Sequence, residues 1–327
     1  MSERGEGELV LVARKGGFGL PTACPNCLPV YLYLRFANAS FSLDFDVANP
    51  DSDHVPYIEY GDCVLFSNEK GGVIECLKGE SIVDLDSGLS GGCVPHWLAT
   101  EALISSWLAE AAQYELWVAS NGSGAYKIYF SDLSWPVAKV LHWKQTQTVK
   151  QRLGITYLNA NGKEEEIYRK AAAAYEALSQ RLGEQTFFFD DRPTSLDAAF
   201  LGHALFVIHA LPDTSTLRNN LLQYDNLVRY SENLKVQYVD SNSSSSIPRS
   251  SFGPSASSSS RTKSSSYWSS KSKPKAKREK TEEEKTFRRR ANYFLATQLV
   301  AVLVFLSLFG GVENAEDDDE DELDYDD

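Results

Sequence analysis

At 327 residues, 43% of them hydrophobic, the chain is long enough to bury one large core or two small ones. Its formal net charge of -13 is unevenly spread: residues 313–327 hold eleven carboxylates and no base, whereas residues 261–290 hold twelve Lys or Arg against four Glu, so the overall pI says little about partners. Five cysteines, at 24, 27, 63, 76 and 93, exclude the even-numbered disulfide framework of a small secreted domain, and the opening MSERGEGE carries neither an apolar signal core nor an Arg-rich presequence, so the body is expected in the reducing cytosol.

In chain order, Glu8 to Ala13 (ELVLVA) reads as a short buried strand. A loop over 16–23 leads into Cys24-Pro-Asn-Cys27 and a helical run from Leu28 to Phe36. Phe41 to Asp46 alternates as a second strand, Val55-Pro-Tyr-Ile58 begins a third, Cys63 to Phe66 makes a fourth, and Gly72 to Leu77 opens a helix. This βαβ…ββα order is that of a thioredoxin-like domain, assigned to residues 1–80. Val55-Pro56 resembles the Val-cis-Pro step before the third strand of glutathione transferases, and Pro56 is the residue type at which a cis bond is accessible.

A CxxC pair at a strand-to-helix junction is a recognised place for a reactive thiol, because a helix N-terminus stabilises thiolate. Cys24 and Cys27 are therefore the redox candidates. Three readings stay open: an inherited pair with no catalytic role, redox or glutathione chemistry at Cys24, or a metal site completed by Cys63 and Cys76. The metal reading lacks a second close pair. Transferases of this fold usually offer Glu-Ser or Asp-Ser after the fourth strand to hold the γ-glutamyl group. Ser67-Asn-Glu-Lys-Gly-Gly72 stands there instead, with an insertion before the helix, which speaks against glutathione binding. No cofactor and no metal is expected.

From His96 onward strand patterns vanish, and residues 95–240 read as an all-helical domain. Leu103, Trp107, Ala111, Tyr114 and Val118 recur as one helix face; Ile167, Ala171, Ala174, Leu178 and Leu182 repeat that spacing up to a C-cap at Gly183. In Phe187-Phe-Phe-Asp-Asp-Arg-Pro-Thr-Ser-Leu-Asp197, Thr194 can cap a helix starting at Ser195 and Asp197 can bond back. That helix is apolar almost all round, hence central and buried. Thr194 and Asp197 are structural residues in this reading, and Asp197→Ala should cost about 1 kcal/mol. His203 and His209 fall on different faces and suggest no site.

The next segment, 241–280, is Ser-rich and then basic, and reads as a disordered linker. Treated as flexible coil, the 50 residues from Ser241 to Arg290 reach roughly 40 Å. The run KSKPKAKREK reads as a topogenic or lipid-contacting element rather than a nucleic-acid patch. From Ala291 to Val312 there is no charge; as a helix this stretch spans about 33 Å, enough for one transmembrane segment with Arg288, Arg289 and Arg290 on its cytosolic side. The acidic tail, 313–327, would then cross the membrane.

Three stretches, ACPNCLPVYLYLR (23–35), WLAEAAQYELWV (107–118) and YEALSQRLGEQTFFFDDRPTSLDAAFLGHAL (175–205), together with the apolar C-terminal run, resemble the metaxins, in their plant form. The resemblance runs over roughly residues 8–240. It implies a glutathione-transferase-like fold, a thioredoxin-like domain followed by a helical one. It further implies a non-enzymatic adaptor on the cytosolic face of the mitochondrial outer membrane. Its partners there would be β-barrel precursors and the sorting and assembly machinery; self-pairing or hetero-pairing stays open, and nucleic acid is not expected. The alternative is a membrane-tethered, glutathione-dependent thiol transferase using Cys24.

Overall fold

The computed structural model describes residues 9–46, 54–61, 63–68, 71–189, 191–240 and 297–298. Residues 9–240 lie in one compact unit; Thr297 and Gln298 are helical and lie in another. The linker at 241–280, the rest of the apolar run at 291–312 and the acidic tail at 313–327 fall outside the described residues. Among the described residues, no helix is long and apolar enough to cross a membrane.

The N-terminal half is built on its most apolar strand, β1 (Leu9–Ala13), with Leu11 and Ala13 wholly buried. Helix α1 (Cys27–Phe36) crosses over to β2 (Phe41–Phe45), which pairs parallel to β1 with Leu9 opposite Phe41. A parallel pair needs such a crossover, and α1 supplies it. β3 (Tyr57–Tyr60) runs antiparallel to β1, and β4 (Cys63–Phe66) antiparallel to β3, giving the order β2-β1-β3-β4. Helix α2 (Gly72–Gly79) completes a thioredoxin-like domain. The third strand starts at Tyr57, two residues later than the sequence reading has it. Val55 and Pro56 precede the ladder, to which proline has no N–H to give.

The helical half begins with α3 (Val94–Ala102), a π-helical turn over Leu103–Leu108, and α4 (Ala109–Trp117). Here the expected face is partly wrong. Ala111 and Tyr114 are buried as the spacing predicts, but Leu103 and Trp107 are only half-buried while Ile104 and Leu108 take the core positions. The wider π turn rotates the face by about one residue between the two α segments. A short stretch follows: a 3₁₀ turn (Ala119–Gly122), α5 (Ser123–Ala125) and a second π turn (Tyr126–Phe130). Next come α6 (Trp135–Arg152), which the periodicity did not reveal, and α7 (Ala160–Leu182), ended at Gly183 with φ 51°.

Helix α8 (Ser195–Ala210) is the central one, with nearly every residue from Ser195 to Val207 buried. α9 (Thr216–Leu221) and α10 (Asp225–Tyr238) pack around it. α8 also packs on α1, so one core runs through both halves. The approach is close at one point: a Cβ on Gly202 would come within 2.7 Å of the Pro29 ring. Only glycine fits there without displacing α1.

Candidate functional site

Cys24 and Cys27 stand where β1 hands over to α1, with Cys27 opening the helix and Cys24 in the turn before it. Neither is at the surface: Cys24 is 2% exposed and Cys27 wholly buried. None of the five cysteines is in a disulfide. The Arg14 amide, just past the end of β1, donates to Cys27 Sγ at 3.5 Å.

What covers Cys24 comes from the helical half. The Tyr129 hydroxyl, on the second π turn, donates to Cys24 Sγ at 3.2 Å. Trp117, at the end of α4, stacks on Tyr129 with ring centroids 5.3 Å apart, and the Arg14 guanidinium lies 5.8 Å from the Tyr129 ring centroid. The segment that delivers Tyr129 is held in turn by His142 on α6. Its ring bonds to the Gly122 carbonyl at 2.9 Å and lies against Phe130, Tyr126 and Trp117.

The electrostatics separate the two thiols. Burial alone pushes Cys24 up, but bonds to its sulfur from the Cys27 side chain, the Tyr129 hydroxyl and the Cys27 and Asn26 backbone outweigh burial and bring the pKa down to about 6. Cys27 moves the other way, raised by burial and by the neighbouring Cys24 sulfur, and Tyr129 is raised by burial and then by Cys24. This is the pattern of one anionic sulfur served by several donors.

Little space remains beside that sulfur. The cavity bordered by Cys24, Val55, Ser67, Trp117, Tyr129 and Arg152 measures about 100 Å³. Sites for small organic ligands usually run to roughly 300 Å³ or more. A larger hollow of about 530 Å³ lies elsewhere, bordered by Phe18, Glu115, Lys127, Ile208 and Arg218, and contains no cysteine. Pro56 is joined to Val55 by a cis bond on the rim of the Cys24 cavity. Helix α2 opens at Gly71 with φ 79° and no side-chain cap, so no serine holds its N-terminus. The metal reading finds no geometry: Cys63 is exposed on β4, and among the described residues no three His, Cys, Asp or Glu are grouped to hold an ion.

Thr194 and Asp197 meet as a reciprocal capping box at the start of α8. Asp197 does more than bond back to the cap. Its Oδ2 accepts from the Thr194 amide (2.9 Å) and hydroxyl (2.7 Å), and its Oδ1 from the Phe188 amide (3.0 Å) and the Tyr230 hydroxyl (2.8 Å). Burial raises the pKa of this carboxyl, and those four donors pull against that. The same helix start has a second cap that the sequence conceals. Asp86 accepts from the Ser195 amide (2.9 Å) and hydroxyl (2.5 Å) and pairs with Lys78 of α2 at 2.7 Å, tying the first half to the central helix of the second. His203 is buried against the Tyr175 hydroxyl (2.7 Å), while His209 is half-buried beside Glu232.

A thioredoxin-like half joined through α1 and α8 to a helical half defines the glutathione-transferase-like class. Two family models match accordingly: the glutathione S-transferase N-terminal domain over residues 25–122 and the glutathione S-transferase C-terminal domain over 171–234. Among solved structures, the β-etherase LigF from Sphingobium shares 13% identity at a TM-score of 0.49, covering 73% of this chain and 99% of that one. Among curated relatives, the "Mitochondrial outer membrane import complex protein METAXIN" of Arabidopsis thaliana is 51% identical over 97% of this chain and 96% of its own length. Metaxin-2 of Mus musculus is 26% identical over 65% of this chain and 77% of its own. The chain belongs to the metaxin family.

Proposed function

We propose that the chain is a non-enzymatic adaptor of protein import at the mitochondrial outer membrane, receiving precursors on the cytosolic face and serving β-barrel sorting and assembly. The observation that carries this reading is the 51% identity, sustained over 97% of the chain, with a relative whose name places it in the outer-membrane import complex. In this reading residues 1–80 and 95–240 form the cytosolic body and 241–280 a flexible linker. Residues 291–312 are a single transmembrane helix, with the acidic tail in the intermembrane space. The geometry supports a binding role over a catalytic one, because the thiol is buried and the adjoining cavity is too small for a tripeptide. A folded body on a tether of roughly 40 Å raises the local concentration of its partners near an import pore.

Crosslinking in isolated mitochondria tests this, comparing the intact chain with a version ending at Ser270. Adducts with β-barrel precursors or with the assembly machinery, lost on truncation, are expected. Mitochondria that contain the intact chain without such adducts would overturn the adaptor role.

A second reading rests on the lowered pKa of Cys24 and its Tyr129 hydrogen bond, which are the marks of an activated thiol. It makes the body a glutathione-dependent thiol transferase. Turnover of a disulfide substrate with glutathione, abolished by Cys24→Ser, would favour it; absence of turnover in the intact chain removes it.

A further inference from the structure

Helix α6 carries charge of one sign only. Its 18 residues, WPVAKVLHWKQTQTVKQR, contain four Lys or Arg and no acid, in a protein of net charge -13. Its inner side is settled: Ala138 and Val149 are buried, and His142 is bonded to Gly122. Its outer side is not what a solvent-facing helix usually shows. Trp135 is 70% exposed, Val140 57% and Trp143 56%, with Val137 also exposed.

At 100° per residue, Pro136, Val140 and Trp143 fall on one stripe with Gln147, opposite buried Ala138 and Val149, while exposed Trp135 and Val137 lie to either side of it. Lys139 and Lys150 flank the stripe on one side and Lys144 on the other. The loop that leaves the helix adds Tyr157 and Leu158, both more than nine-tenths exposed. An exposed face of tryptophans and valines, interspersed with lysines and lacking acids, is the pattern of a helix lying in the headgroup region of an anionic bilayer. Indole rings prefer that depth, and lysine stems reach up from it to phosphate.

We infer that α6 is a membrane-docking surface through which the body rests against an anionic leaflet. A protein groove would more often ask for a stripe bordered by both signs of charge. A bilayer asks for one sign, and the chain brings a bilayer within reach. Its apolar run at 291–312 follows the body after 50 residues, and the segment before that run is itself strongly basic. The inference rests on the tail-anchored reading only for how the body comes to be near a membrane; the docking stripe is a property of α6. Docking would fix which face of the body is turned away from the membrane and open to cytosolic chains.

The test uses the full chain reconstituted into vesicles, either neutral or with about one-third anionic phospholipid, carrying a lipid-borne quencher near the headgroups. Alkaline extraction reports anchor insertion separately. With Trp268 of the basic segment changed to Phe throughout, we expect tryptophan quenching in anionic vesicles well above that in neutral ones, with the excess abolished in Trp135→Phe/Trp143→Phe. At about 1 kcal/mol per basic residue, Lys139→Gln/Lys144→Gln should lower the docked-to-undocked ratio roughly thirtyfold. Inserted protein whose quenching does not depend on anionic lipid, or survives the double tryptophan change, would overturn the docking surface and leave the stripe to a protein partner. Quenching that persists where extraction shows no insertion would sink the anchor and leave the docking surface standing.

Discussion

At Asp197 the structure changes the expected size of an effect. A capping residue alone would cost about 1 kcal/mol on truncation. Asp197 is fully buried and serves four donors on three segments, so Asp197→Ala strands the Phe188 amide and the Tyr230 hydroxyl as well as the cap. We expect a loss of about 3 kcal/mol or more, read from the denaturation midpoint; a loss near 1 kcal/mol would mean that water replaces the carboxylate. His203 gives a pH dependence. Burial holds its pKa at about 3, whereas in the unfolded chain it titrates near 6.5. Below pH 6.5 the unfolded chain takes a proton that the fold refuses, so stability falls with pH down to about 3, by up to about 1.4 kcal/mol per pH unit. His203→Gln, which keeps a polar partner for Tyr175, should flatten that acid limb by one proton. An unchanged limb would assign it to other groups. The cysteines should also separate by reactivity: in the native chain a small alkylating agent should label exposed Cys63 first, and Cys24 only on unfolding. Equal rates by mass spectrometry would contradict the burial of Cys24.

Elements joined across the two halves set the fold, and the α1–α8 contact is the most demanding. Gly202→Ala places a methyl group within 2.7 Å of Pro29, and both partners are backbone-fixed. Separating the helices should cost about 1–3 kcal/mol, visible as a lowered thermal midpoint; a midpoint equal to that of the unaltered chain would show that α1 can move without penalty. β1, α1, α7 and α8 were legible because each carries its signal locally, as an apolar run, a single-face period or a cap box. α6 was not. Its apolar residues Trp135, Val137, Val140 and Trp143 face outward, while only Ala138 and Val149 are fully buried, so no inward period exists to be read. The π turn at Leu103–Leu108 was equally hidden, since one register change halves a periodic signal. At the candidate site, CPNC itself announced the thiols. Tyr129 lies 105 residues from Cys24, and Asp86 109 residues from Ser195; such pairings are made by the tertiary fold and leave no local mark.

For the whole molecule, the thioredoxin-like geometry is kept while little space remains beside Cys24. Tyr129, Trp117 and Arg14 close over Cys24, and the segment carrying Tyr129 is pinned by His142. Through the Tyr129 hydroxyl on its sulfur, Cys24 joins the two halves by a hydrogen bond. The most direct test is to measure β-barrel precursor import into mitochondria whose only copy of this protein is either Cys24→Ser/Cys27→Ser or the version ending at Ser270. We expect the cysteine variant to import at the unaltered rate and the truncated one to fail. Full import with the truncated chain, or failure with the cysteine variant at normal abundance, would contradict a tethered, non-enzymatic adaptor.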